Sequence, residues 1–91
     1  MTTEKILSVT AMYRERFVRE GIPKKRMSQR GFFETPDQML AHAHYLIDGV
    51  EEFAKNPEKE GKTGRHLGSL QTLLWVARWY TLEELRRHNR S

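Results

Sequence analysis

The eight residues Leu73–Tyr80 read Leu-Leu-Trp-Val-Ala-Arg-Trp-Tyr, and seven of them are apolar or aromatic. A helix on the surface of a globule keeps a polar face, whereas this stretch is oily on nearly every side. The whole chain has 91 residues. A domain of that size buries somewhat over ~60% of the surface its unfolded chain would expose, so little material is left to cover such a segment. Either the segment is the centre of a small bundle or part of it meets another chain.

The rest of the pattern is helical. Ile6, Val9, Tyr13 and Phe17 recur at spacings of three or four, after Thr3 as an expected N-cap and before Gly21 and Pro23 as a stop. Thr35-Pro36-Asp37-Gln38 is a helix start in which threonine caps, proline takes the first position and glutamine reaches back. Met39, Ala43, Leu46, Ile47, Val50 and Phe53 follow on one side until Asn56-Pro57 stops the helix. Asn56 to Lys62 reads as a polar connector. A third helix with Leu67, Leu70, Leu73, Leu74 and Ala77 precedes Thr81-Leu82-Glu83-Glu84, a capping box that opens a short last helix. The expected fold is therefore all-α, a single domain over 1–91. It has three longer helices (about 4–20, 36–55 and 64–80), a short C-terminal one (about 82–89) and a basic loop at 21–35. Gly49 and Gly68 lie inside the second and third helices, where glycine costs about 1 kcal/mol relative to alanine. Their expected use is a close helix crossing, which Gly68→Leu would wreck.

Net charge is +4, yet the chain is segmented. Arg14 to Arg30 holds seven Lys/Arg against two Glu, Glu34 to Glu60 seven acids against two Lys, and Gly61 onward six Lys/Arg against two Glu. The simplest reading is that the acidic middle packs beside the basic flanks and neutralises them. Cysteine is absent, which excludes disulfides and thiolate chemistry. No stretch approaches the ~20 apolar residues of a membrane span, and the amino terminus lacks a secretion-signal pattern. The expected location is the cytoplasm.

Candidate chemistry is sparse. His42 and His44, two apart on a helix, point in different directions and cannot share an ion, and no His-Glu-x-x-His string occurs. Surface or core-edge histidines are the better account, and no metal or cofactor is expected. Asp48, Glu51 and Glu52 look like half of a magnesium-carboxylate site with the other half missing. They read as an acidic face answering the basic segments. No nucleophile–base pair is visible, so an enzyme is not expected. In the loop, Lys24, Lys25, Arg26, Ser28 and Arg30 are candidate contacts for phosphate or an acidic partner, with Phe32 and Phe33 able to stack on bases. The competing reading has Ile22, Met27, Phe32 and Phe33 pin the loop to the core. Trp75, Arg78 and Trp79 carry the residue types enriched at interface hot spots and are the expected protein interface. His66 and Gln71 are candidates for buried hydrogen bonding.

The carboxyl-terminal half also resembles a group of short bacteriophage proteins. His66-Leu67-Gly68-Ser69-Leu70-Gln71, Leu73-Leu74-Trp75, Tyr80-Thr81-Leu82-Glu83-Glu84-Leu85-Arg86 and His88-Asn89 carry the resemblance, with Ala41–Asp48 upstream. It covers roughly residues 35 to 90, so the first helix and the basic loop fall outside it. It implies a non-enzymatic phage or prophage accessory protein that binds a host protein in the host cytoplasm, a defence antagonist being one form. A homo-oligomer is expected. The alternative is a binder of nucleic acid or a phosphate-containing small molecule through the loop.

Overall fold

Threonine hydroxyls open three of the helices. The computed structural model describes residues 1–90. Among them lie α1 (Thr3–Arg19), α2 (Pro36–Ala54), α3 (Glu60–Val76) and α4 (Leu82–Asn89), with no strand. Thr2, not Thr3, caps α1, its hydroxyl accepting the Lys5 N–H at 3.1 Å. Thr3 sits in the first turn and donates instead to the Ala54 carbonyl at 3.0 Å, tying α1 to the end of α2. Thr35 caps α2 by accepting from the Gln38 N–H at 3.2 Å, while Gln38 Oε1 accepts the N–H of Glu34 at 2.6 Å. Thr81 and Glu84 form the full reciprocal box at α4.

The larger boundary differences from the sequence expectation are both at α3. The supposed connector is partly helical. Asn56 caps a 3-10 turn at Pro57–Lys59, which runs directly into α3 four residues before the expected start at 64. Glu60, Gly61 and Gly64 are exposed, so this first turn carries no apolar period to betray it. The other end stops at Val76, not near Tyr80, because Arg78 adopts φ +68° and turns the chain.

α2 is the central helix. α1 packs on it from one side and α3 from another, while α1 and α3 make no helix–helix packing with each other. α4 then crosses from α3 to α1. The core is one cluster contributed by all four, with Val9, Tyr13 and Phe17 from α1, and Leu40, Ala43, Ile47 and Val50 from α2. Leu67, Leu70 and Leu74 come from α3 and Leu85 from α4. Each large aliphatic or aromatic side chain there contributes about 1.5–3 kcal/mol relative to exposure. No helix among the described residues is long and apolar enough to cross a membrane.

The acidic middle does answer a basic flank. Arg14 pairs with Asp48 at 2.9 Å and with Glu51, and Lys24 pairs with Asp48 at 2.8 Å. These pairs are partly exposed and serve register between α1, the loop and α2 more than stability.

The glycine crossing is not present. A Cβ at Gly68 would meet nothing within 4 Å, and one at Gly49 would meet only Phe53 of its own helix. Helices α2 and α3 pack through Leu, Ile and Val instead, with Gly68 exposed and Gly49 half-buried. Gly68→Ala is expected to raise unfolding free energy by up to ~1 kcal/mol, read as a higher urea midpoint. A lowered midpoint would restore the close-crossing idea.

Candidate functional site

The corner between α3 and α4 is built by a helix stop of an unusual kind. After Val76 the Arg78 N–H donates to the Trp75 carbonyl at 3.0 Å and the Trp79 N–H to the Leu74 carbonyl at 2.9 Å. The end of α1 uses the same geometry, with Gly21 N–H to Val18 at 3.1 Å and Ile22 N–H to Phe17 at 2.9 Å. There the left-handed position, φ +70°, is glycine. In α3 it is arginine, which suffers a Cβ clash of about 1 kcal/mol or more that glycine avoids.

The turn separates the two tryptophans. Trp79 swings back onto the core, its ring 4.9 Å from Phe17, and the Arg16 guanidinium lies 4.2 Å above it. Arg16 also covers Tyr80 at 4.9 Å, donates to the Trp79 carbonyl at 3.3 Å and pairs with Glu20 at 2.6 Å. Trp75 faces outward, 48% exposed, next to Val76 at 53%. A hollow of about 310 Å³ lies between Trp75, Arg78, Trp79, Tyr80, Thr81 and Glu84. Arg78 is exposed and takes part in no ion pair among the described residues. The three expected interface residues are thus brought together with divided roles, since Trp79 anchors the corner to α1 while Trp75 and Arg78 face solvent.

Behind the corner is a polar knot. Tyr13 has no exposed surface, and its hydroxyl lies 2.8 Å from His88 Nδ1 and 3.1 Å from Gln71 Nε2. Gln71 and Asn89 exchange two amide hydrogen bonds, at 2.7 and 2.9 Å. The Gln71 amide donates to the phenol oxygen, so the phenol proton is satisfied only by donating to an unprotonated His88 Nδ1. Burial pushes the Tyr13 hydroxyl up to about 12. Gln71 is therefore buried and bonded as expected, whereas His66 is half-buried, 2.9 Å from the Lys62 carbonyl within its own helix.

The loop is fastened by histidines. His44 Nδ1 donates to the Ile22 carbonyl at 3.0 Å, and the ring stacks on Phe17 at 4.8 Å. His42 Nδ1 accepts the Met27 N–H at 3.1 Å, and the Lys25 N–H donates to the Ala41 carbonyl at 3.1 Å. Ile22, Met27 and Phe33 are half-buried, but Phe32 is 90% exposed and anchors nothing. Among the five candidate contacts, Arg26, Ser28 and Arg30 share a shallow hollow of about 510 Å³. Lys25 is exposed and Lys24 is engaged with Asp48. No group of three or more acids and histidines is gathered among the described residues in a way that could hold a metal ion. No family model, curated protein or solved structure matches the chain, so the residues themselves carry the functional reading.

Tyr13→Phe leaves His88 Nδ1 and one Gln71 donor without their buried partner. The expected loss is roughly 1–3 kcal/mol by chemical denaturation; an unchanged midpoint would show the knot to be slack.

His88 is held below the ordinary histidine range by burial, helped by Arg87 and Lys5 and opposed by Glu84. His42 is lowered by burial and then by Arg26. Both accept at Nδ1, so protonation breaks a bond in each case. The unfolded chain binds these protons more readily than the folded one. Stability is therefore full above the unfolded histidine value of about 6.5 and falls as pH drops through the folded values below it. Asp48, held low chiefly by its bond from Lys24, adds a further loss only below its ordinary 3.8. Denaturation midpoints should fall between about pH 7.5 and about pH 5, and a flat profile there would contradict the assignment.

Proposed function

We propose that this chain is a small binding protein that engages a partner protein through the α3–α4 corner, with Trp75 and Arg78 as the contact pair. The observation that carries this reading is the arginine at φ +68°. Glycine fills the matching position of α1 without strain, so Arg78 is a stability cost that nothing inside the fold recovers. Strained residues with unused side chains concentrate at functional positions. Beside it, an outward tryptophan supplies the apolar contact that makes Trp and Arg frequent hot spots.

The partner surface that fits is an apolar side chain for the hollow below Trp75 and a carboxylate for Arg78. No chemistry beyond binding is assigned, since no nucleophile with an adjacent base lies at the corner. The role of a phage accessory protein acting on a host factor agrees with the resemblance of residues 35 to 90 and with an interface at the resembling Trp75. A second copy of the chain is the other occupant of the same patch, and sedimentation of the purified protein distinguishes it from a foreign partner.

Arg78→Gly separates fold from function. It is expected to raise Tm by roughly 4–8 °C, the equivalent of ~1 kcal/mol in a domain this small. A photo-crosslinker at position 75 should give a discrete adduct in cells, and Arg78→Gly should abolish it. A variant that gains stability and keeps the adduct would remove Arg78 from the interface. No adduct with either chain would end the protein-binding reading.

A further inference from the structure

A second surface lies between α2, α3 and the basic loop. An open groove of about 660 Å³ there has Leu46, Leu73 and Phe33 as its apolar lining and Arg65, Ser69 and Thr72 along α3. His42 also lines it, and its ring stands 5.6 Å from both Phe33 and Tyr45, so three flat rings follow one another from the loop onto α2. The residue before Phe33 is Phe32, a phenyl ring 90% exposed.

Arg65 lines the groove with these rings, and further cations stand on the loop. Lys25, Arg26 and Arg30 on the loop and Arg65 on α3 are all exposed, and none is in an ion pair among the described residues. Arg26 is near enough for its charge to act on His42. The acids Glu34 and Asp37 at the start of α2 mark the limit of the basic strip along the chain. Fastening by His42, His44 and the Ala41 carbonyl holds the loop backbone against α2 at Ile22, Lys25 and Met27.

Unpaired cations beside a row of flat rings, of which Phe32 and Tyr45 are exposed, match one chemistry above others. Acidic peptides would use the guanidinium groups and leave the phenyl rings idle. A duplex hides its base faces. Unstacked bases on a sugar–phosphate backbone use both features, and stacking is indifferent to base identity. We propose that this strip binds single-stranded nucleic acid without sequence preference. Bases stack on Phe32 and on the Phe33–His42–Tyr45 row, and phosphates lie along Lys25, Arg26, Arg30 and Arg65. The strip is separate from the α3–α4 corner and does not depend on the protein-binding reading.

Fluorescence anisotropy tests it, with labelled single strands of about a dozen nucleotides, DNA and RNA, against a duplex of the same sequence. Binding to single strands should weaken roughly 20- to 50-fold between about 50 and about 200 mM salt, as expected for three or four phosphate contacts. Phe32→Ala should weaken it about tenfold with Tm unchanged, since that ring supports nothing in the fold. Arg65→Gln should flatten the log–log salt slope by ~0.7, and Arg78→Gly should leave binding as it was. Three results would overturn the proposal. These are no single-strand binding at the lower salt, equal affinity for the duplex with Phe32→Ala indifferent, and displacement by polyglutamate as effective as by unlabelled single strand.

Discussion

The Tyr13 hydroxyl joins parts of the molecule that helix packing leaves apart. Helices α1 and α3 both lean on α2 without packing on each other, and Gln71 reaching Tyr13 is the bond that spans them. His88 and Asn89 complete the knot from α4. That helix has eight residues and a single buried apolar side chain, Leu85. A helix so short is unstable alone in water, and its cap and one leucine are slender support. The hydrogen bonds at its far end hold it down at the other side. A fully satisfied buried network fixes one arrangement, because any partial version strands a polar group away from water.

The exposed corner follows from that docking. With α4 tied to α1, the chain must reverse sharply after Val76, and it does so through a left-handed residue. Arg16 on α1 then closes over Trp79 and Tyr80 from the opposite side, so the turn is held between two helices and not by its own backbone preference. One indole is thereby committed to the core and the other is left in water. A glycine at 78 would make the same turn more easily. The arginine instead places a cation beside the outward indole, at a cost in stability, which is the pattern expected where a surface is kept for contact.

Much of the architecture is legible in the amino-acid sequence. Thr35, Thr81 and Gly21 announce their helix ends because capping is a local interaction between neighbours in sequence. The buried faces of α1 and α2 show in their spacing. The end of α3 was hidden for an equally physical reason. Nothing in an arginine signals positive φ, so the apolar run through Tyr80 reads as unbroken helix. Its start was hidden because Glu60–Gly64 has no apolar residue to set a period. The glycines misled in the opposite direction, since a helical glycine reads the same whether it faces a neighbour or water.

The site was legible in residue type and not in arrangement. Trp75, Arg78 and Trp79 stand out as a cluster, but their division into one anchor and two exposed residues needs the turn. His42 and His44 invite a metal reading, and their separate directions refute it without revealing that each fastens the loop. Adjacent Phe32 and Phe33 look equivalent, yet one packs and one does not. Longer-range partners decided each case, and single-sequence spacing carries no information about them.

The unequal fates of the two indoles can be measured directly by acrylamide quenching of Trp75→Phe and Trp79→Phe, each of which leaves one emitter. In purified protein at a concentration where it sediments as one subunit, the emitter at 75 should be quenched readily and the emitter at 79, under Arg16 and against Phe17, should be strongly shielded. Equal protection of both would mean that the corner is closed within the fold, and the surface on which the functional account rests would not exist.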